Sequence, residues 1–238
     1  GYLLVILSSG ALAFWAWRNL AWPWWVAAVF LHGTLYGFLV NAMHELSHGT
    51  VFKTKALNEF FLKLVSFLGC NSPVFFRASH TRHHQSTLHP PDDGEVVLPV
   101  EMTLRQYLKS AIVDLPRLKA AWAQHFRLAV GRCGPEWEQK VVCENEPVRR
   151  QAMRWSRFVI AGHALIVAVS LAFGLWVVPL LITFAPYIGG WLFYSLNNTQ
   201  HIGLRDNVDD FRLCARSIRV HPVLRFLYWH MNWHIEHH

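Results

Sequence analysis

The chain has 238 residues, of which 53% are hydrophobic and only 16% are charged. Its formal net charge is +7, but no nucleic-acid recognition motif accompanies the basic residues, which argues against a nucleic-acid partner. The apolar residues form long uncharged runs instead of the dispersed pattern of a soluble core. This distribution indicates an integral membrane protein that is embedded in the lipid bilayer.

Four runs are predicted to span the membrane, at residues 2–17, 20–43, 158–174 and 179–197. All but one of the 22 Lys and Arg residues lie between Lys53 and Arg157 or between Arg205 and Arg225. By the positive-inside rule, segments 49–156 and 198–238 therefore face the cytoplasm. The predicted fold is a single all-α domain over residues 1–238, with four transmembrane helices in two hairpins and a cytoplasmic helical cap.

Within the cap, Leu57 to Leu68 is predicted to form an interfacial helix, because it is apolar but contains Glu59 and Lys63. Residues 102–130 have the periodicity of an amphipathic helix interrupted at Pro116. Residues 131–147 are polar and are expected to form a loop. The four cysteines form no CxxC pair, and all lie on the predicted cytoplasmic side, so we expect reduced thiols.

Eight of the fifteen histidines fall into three clusters. The first is His44 and His48, whose spacing places them on one helix face. The second is His80, His83 and His84, in an expected loop, and the third is His234, His237 and His238. Imidazole suits iron, zinc and copper, and eight imidazoles exceed the four ligands that one zinc ion takes. Since the topology delivers all three clusters to one face of the membrane, the pattern predicts a two-metal site.

The spacing HxxxH, HxxHH, HxxHH in these clusters, with four spans around them, resembles the integral-membrane fatty acid desaturase superfamily. The resemblance implies that His201 is a further metal ligand and that Asn197 is a ligand through water, because Asn197-Asn-Thr-Gln-His201 fits the NxxxH pattern of that superfamily. It also implies two Fe ions, O2 as co-substrate, and electrons from an external ferredoxin or a cytochrome with its NAD(P)H reductase. The implied reaction is the introduction of a double bond into a fatty acyl chain of a lipid or thioester, with no catalytic side chains beyond the metal ligands.

Three alternatives stay open. Hydroxylation or ketolation of a lipid or hydrocarbon uses the same scaffold. The sequence His44-Glu45-Leu-Ser-His48 also matches HExxH, the motif of zinc metalloproteases with Glu45 as general base, although this leaves the other clusters unexplained. A membrane receptor or scaffold with a structural metal site is the third alternative.

Other polar residues receive ordinary interpretations. His32 and His163 lie within spans and are expected to form hydrogen bonds between helices. Glu45 and Glu236 either orient neighbouring imidazoles or are solvated, and His230 is a candidate for supporting the third cluster. Five loop acids either support the metal ligands, pair with Arg82 or Arg205, or lie at the surface, and the surface is the preferred interpretation: Asp92, Asp93, Asp206, Asp209 and Asp210. Three further histidines are expected in loops or at the surface: His89, His125 and His221.

Overall fold

A computed structural model describes residues 1–96 and 103–237, and this part of the chain is all α-helical with no β-strand. The predicted all-α class is therefore confirmed. His238 and the start of the predicted amphipathic segment at Met102 lie outside the described residues.

The chain begins with a helical hairpin, as predicted. Helix α1 (Tyr2–Asn19) packs against α2 (Trp22–Tyr36), and Pro23 lies in the first turn of α2, where its missing N–H costs nothing. A short break at Gly37 and Phe38 leads into α3 (Leu39–Ser47), and residues 22–47 together are long and apolar enough to cross a membrane. Leu4 is 67% and Trp22 is 70% exposed, as expected of side chains that face lipid.

The second histidine cluster lies on a helix, so the expectation of a loop was wrong. Helix α4 (Lys55–Leu68) is followed by α5 (Pro73–Gln85), and the two are bent by 105°. The Ser72 side chain accepts a hydrogen bond from the Phe75 N–H, and Pro73 occupies the first turn. These are strong helix-start signals, but the histidines that follow them contribute no apolar periodicity.

The cap begins with α6 (Leu104–Ala111) and α7 (Leu115–Ala129), so the predicted interruption near Pro116 is confirmed. The predicted loop at residues 131–147 is largely wrong, since α8 (Glu136–Glu138) and a π-helical turn at Gln139–Cys143 occupy it. Cys133 and Cys143 form a disulfide, which contradicts the expected thiols. The compact turn brings their Cα atoms to 6.3 Å, a separation that suits a disulfide. The other two cysteines, Cys70 and Cys214, are buried, as expected of structural residues.

The third long helix, α9 (Glu146–Ala172), starts well before the predicted span at residue 158, within the segment expected to be cytoplasmic. The Asn145 side chain caps it by accepting from the Val148 N–H. Only 22% of the most apolar 18-residue stretch of this helix is buried inside the protein, and the side chains of Leu165 and Phe173 are exposed. This outward apolar surface supports a membrane-embedded position.

The region of the predicted fourth span is broken into three short pieces. These are α10 (Val177–Leu181), a 3₁₀ turn at Ala185–Tyr187 and α11 (Trp191–Asn198). Gly189 separates the last two with φ +67°, and a Cβ there would lie 2.7 Å from the Phe30 carbonyl oxygen on α2. Two helices in the described residues are long and apolar enough to span a membrane, or three if the bent α4–α5 pair is one span. The count of four spans and the cytoplasmic cap remain predictions.

Buried histidines tie the helices together away from the clusters. His32 on α2 hydrogen-bonds Ser9 on α1 and the Leu181 carbonyl oxygen, and His163 on α9 bonds Thr183 and the Phe67 carbonyl oxygen. Both predicted interhelical contacts are therefore confirmed. The surface position expected for His125 was wrong: its ring is 1% exposed and bonds Ser156 and the Cys70 carbonyl oxygen. The described chain closes with α12 (Pro222–Leu227) and α13 (His234–His237).

Candidate metal centre

The three histidine clusters meet at one place, which the fold supplies from three separate helices. His44 lies on α3 with His48 at its end, the second cluster lies on α5, and His234 and His237 of the third lie on α13. One ring nitrogen from each of five histidines converges so that all five atoms lie within 4.8 Å of one another. We refer to these residues as the five-histidine group: His44, His48, His80, His84 and His237.

A second group of imidazoles lies beside the first and consists of His83, His201 and His234. The Nε2 atoms of His201 and His234 are 2.9 Å apart, and the His83 and His201 ring centroids are 5.8 Å apart. The two groups adjoin, because neighbouring rings on α5 (His83 and His84) have centroids 5.9 Å apart. We refer to this set as the three-histidine group.

Oxygen atoms accept hydrogen bonds from the Nδ1 atoms of three of these imidazoles. Glu95 lies 2.8 Å from His80 Nδ1, Asp93 lies 2.7 Å from His83 Nδ1, and the Cys214 carbonyl oxygen lies 2.8 Å from His201 Nδ1. Each oxygen can only accept, so it fixes the proton on Nδ1 and leaves a lone pair on Nε2, and in His80 and His201 this Nε2 faces another histidine. This carboxylate–imidazole arrangement is the one that orients histidine ligands in metalloproteins.

The centre is electrostatically suited to neutral imidazole and ionised carboxylate. Burial, reinforced by the nearby His48, His84 and His80, lowers the pKa of His237 to about 3. Burial alone would raise the pKa of Glu95, but the hydrogen bond from His80 and the charge interaction with it outweigh this, and the pKa falls below its usual value. The pKa of Asp93 is lowered in the same way, by His83 and by backbone N–H groups, against the effect of burial. At neutral pH these shifts favour an uncharged imidazole at His237 and ionised carboxylates at Glu95 and Asp93.

The donor set fits metal ions. The Nε2 atom of His80 lies 2.9 Å from Nε2 of His84 and 3.2 Å from Nε2 of His48. The Nε2 atom of His84 lies 3.1 Å from Nε2 of His237. Two nitrogens that each lie about 2.1 Å from one ion at right angles are about 3 Å apart. A cation between these nitrogen atoms would be coordinated by several of their lone pairs at once. Without a cation, the lone pairs face each other.

The other predicted site residues have mixed positions. Asn197 lies in the last turn of α11 with an exposed side chain, four residues before His201, and His238 lies outside the described residues. Glu236 accepts from Ser217 and is exposed, and His230 is exposed, so neither supports an imidazole here. Glu45 Oε1 lies 3.0 Å from His44 Nδ1, which is the contact expected of a carboxylate that orients this imidazole.

Sequence reasoning missed two residues of the centre. For Asp93 a surface position was preferred over a supporting role, but it is 1% exposed, and Glu95 was not singled out at all. Both follow the turn that begins at His89, and this turn returns the chain to α5 within a few residues of the histidines. Acids that follow a histidine cluster by one short turn are the signal that would have identified them.

Two cavities adjoin the centre. One of about 570 Å³ opens onto the five-histidine group, and a larger one of about 1000 Å³ lies between α4, α5 and α9. Arg77 and Thr81 line both cavities. The larger one, which we call the α4–α9 groove, has mostly apolar walls with Lys63, Arg77 and Arg154 among its charged residues and a single acid, Glu59.

Comparison with known proteins agrees with the geometry. Residues 3–238, nearly the whole chain, match the family described as fatty acid desaturase. Searches of curated proteins and of solved structures each gave no significant match. The converging imidazoles can bind metal, the apolar helices fit a lipid substrate in a membrane, and the family match indicates an oxidoreductase of the desaturase or hydroxylase type. The chain belongs to the fatty acid desaturase family.

Proposed function

We propose that the protein is an O2-dependent di-iron oxidoreductase that introduces a double bond into a fatty acyl chain of a lipid or thioester. The observation that carries this proposal is the convergence of the five-histidine and three-histidine groups beside an apolar groove. Desaturation removes two hydrogens from adjacent carbons and, with two electrons and two protons from a donor, reduces O2 to two waters. The electrons come from an external ferredoxin or a cytochrome with its reductase.

Two iron ions, when bound, supply the oxidising power that an unactivated methylene requires. The residues that would hold them are the nine histidines of the predicted ligand set, with Asn197 as a ligand through water: His44, His48, His80, His83, His84, His201, His234, His237 and His238. Adjacent groups of five and three imidazoles support two ions better than one, since a structural zinc site takes four ligands. Uncharged ligands leave the ions with most of their positive charge.

The protein's own part is to hold the imidazoles and to position the substrate. Glu95, Asp93 and Glu45 keep their imidazoles in the tautomer that faces inward. The α4–α9 groove receives the acyl chain, because its walls are mostly apolar and it adjoins the histidine cavity at Arg77 and Thr81. Lys63 and Arg154 at the groove favour a substrate with an anionic head group.

Mass analysis of lipids from cells that express the protein tests the reaction. Desaturation lowers the mass of the modified acyl chain by that of two hydrogens, whereas hydroxylation raises it by that of one oxygen atom. A His83→Ala variant serves as the control and is expected to change neither mass. If the wild-type protein leaves every lipid unchanged with a working electron donor present, the proposed function is wrong.

The substrate position is tested with a pair of Leu→Trp variants. Leu64 lines the α4–α9 groove, whereas Leu165 on α9 is 63% exposed and lies outside it. An indole at position 64 fills part of the groove and is expected to raise KM or shorten the accepted chain, while Leu165→Trp leaves both unchanged. Equal behaviour of the two variants would show that the acyl chain binds elsewhere.

A further inference from the structure

We propose that Trp137 is a positioning residue for the metal centre, acting on His80 through Ser79 and Glu95. The inference rests on the role proposed above for His80 as a metal ligand. Trp137 comes from the cap segment between α7 and α9, and no motif in the sequence marks it. Its connection to His80 is a continuous chain of hydrogen bonds between side chains.

The chain has three links. The indole Nε1–H of Trp137 donates to Ser79 Oγ at 3.0 Å, and Ser79 Oγ donates to Glu95 Oε2 at 2.6 Å. The other oxygen of the same carboxylate, Oε1, accepts from His80 Nδ1 at 2.8 Å. Ser79 and His80 are only 2% and 4% exposed, so water competes little for these groups.

The direction of each hydrogen bond follows from the chemistry of the groups. Indole N–H can only donate, so Ser79 must accept from Trp137 and is left to donate its single hydroxyl hydrogen to Glu95. The carboxylate then receives donors on both oxygens, which fixes its plane. A fixed carboxylate holds His80 with the proton on Nδ1 and the lone pair of Nε2 directed at the other histidines.

Trp137 also supports the backbone that carries Glu95. Its ring packs against Gly94, where an added Cβ would lie 2.6 Å from Trp137 Cδ2, so only glycine allows this approach. Three residues further on, Lys140 donates to the Pro91 carbonyl oxygen at 3.1 Å and to Asp92 at 2.8 Å. The cap segment thus holds the loop before Glu95 from one side, at two points.

The segment that presents Trp137 is itself well restrained. The disulfide between Cys133 and Cys143 closes it, and the buried Glu138 accepts from the Gly134 N–H at 2.7 Å and from Arg127 at 3.2 Å. Trp137 also packs at the edge of a core that includes Leu128 and Val142. A restrained donor costs less entropy when it forms its hydrogen bond, which suits a positioning role.

The test is the affinity of the protein for Fe²⁺, measured by competition with a chromophoric chelator. Trp137→Phe keeps an aromatic ring against Gly94 but removes the N–H, and it is expected to weaken Fe²⁺ binding about fivefold, the effect of losing one neutral hydrogen bond. Trp155→Phe is the matched control, because its indole also donates one hydrogen bond, to the Asn71 carbonyl oxygen at 2.8 Å, but has no link to His80. Equal affinities of Trp137→Phe and wild type would overturn the proposal.

A double-mutant comparison separates positioning from a general structural effect. Glu95→Gln breaks the chain one link closer to the metal and is expected to weaken Fe²⁺ binding about 10- to 100-fold. If Trp137 acts through Glu95, adding Trp137→Phe to Glu95→Gln changes the affinity no further. A full additional fivefold loss in the double variant would show that Trp137 acts by another route and would contradict the inference.

Two further measurements complete the test. Co²⁺ bound in place of iron has visible absorption bands that report the ligand geometry, and we expect these bands to shift in Trp137→Phe but not in Trp155→Phe. If Trp137→Phe does not fold, Ser79→Ala removes the same link from α5 and must weaken binding at least as much. A wild-type protein that binds no Fe²⁺ would refute the proposed function, whereas wild-type binding with an unaltered Trp137→Phe refutes this inference alone.

Discussion

Replacing Asp93 by Asn is the most informative single change at the metal centre. Asp93 is 1% exposed, and its Oδ2 accepts from His83 Nδ1 at 2.7 Å and from the Leu88 N–H at 2.8 Å, while Oδ1 accepts from the Glu95 N–H at 2.9 Å. Asparagine has nearly the same shape but only one accepting oxygen. Whichever way the amide is turned, an NH2 group faces at least one N–H donor.

The magnitude follows from these contacts. The less costly orientation keeps the oxygen toward His83 and Leu88 and loses the bond from the Glu95 N–H. One lost hydrogen bond to a charged group, together with the weaker acceptor left for His83, amounts to a loss of about 2–4 kcal/mol in the free energy of unfolding. Loss of the carboxylate behind a metal ligand lowers metal affinity about 10- to 100-fold, equivalent to about 1.4–2.7 kcal/mol of binding.

Two assays on the purified protein measure these effects: iron per chain after dialysis against a graded chelator, and the midpoint of thermal unfolding in detergent. Asp92→Asn is the matched control, since Asp92 is the neighbouring acid but pairs only at the surface with Lys140. In this variant Lys140 keeps its hydrogen bond to the Pro91 carbonyl oxygen, which still holds the loop, so both readings are expected to stay unchanged. If Asp93→Asn and Asp92→Asn both keep the wild-type iron content at every chelator concentration, the Asp93 carboxylate does not support a metal ligand. The assignment of His83 as a ligand held by Asp93 is then wrong.

Three further outcomes are expected. His201→Ala should lower the metal content by about one ion per chain, because it removes a member of the three-histidine group. The control His221→Ala, at an exposed histidine, should leave the metal content unchanged. Full metal content in His201→Ala would remove His201 from the ligand set. His163→Ala should cost about 2–4 kcal/mol of stability without altering metal affinity, because it loses buried bonds to Thr183 and the Phe67 carbonyl oxygen; an unchanged unfolding midpoint would contradict this. A membrane-impermeant amine reagent should reach the loop around Lys140 from the cytoplasmic side, and labelling only from outside would overturn the predicted topology.

Much of the centre could be predicted because its information is local. A spacing of four residues places two imidazoles on one helix face wherever the helix lies, so His44 and His48 were identifiable as a pair. The second cluster was identified by the closeness of its histidines in the sequence, although a loop was expected there. The apolar hairpin and the apolar part of the helix at residues 146–172 were predictable from length and hydropathy, but the start of that helix was not.

The missed features depend on how distant segments meet. Asp93 is an ordinary turn acid until the chain folds back onto α5, where burial and three donors give it a different role. The break near Gly189 reflects the close approach of α2, and the disulfide reflects a turn that no periodicity reveals. His125 has the sequence context of a surface residue, but α7 packs it against Ser156 on α9.

Metal analysis of the purified wild-type chain tests the central claim most directly. Two adjacent groups of imidazoles, one with five members and one with three, predict two iron ions per chain, with both lost together when the histidines of α5 are replaced. A single zinc ion per chain, or no bound metal after loading with Fe²⁺ under anaerobic conditions, would contradict the account.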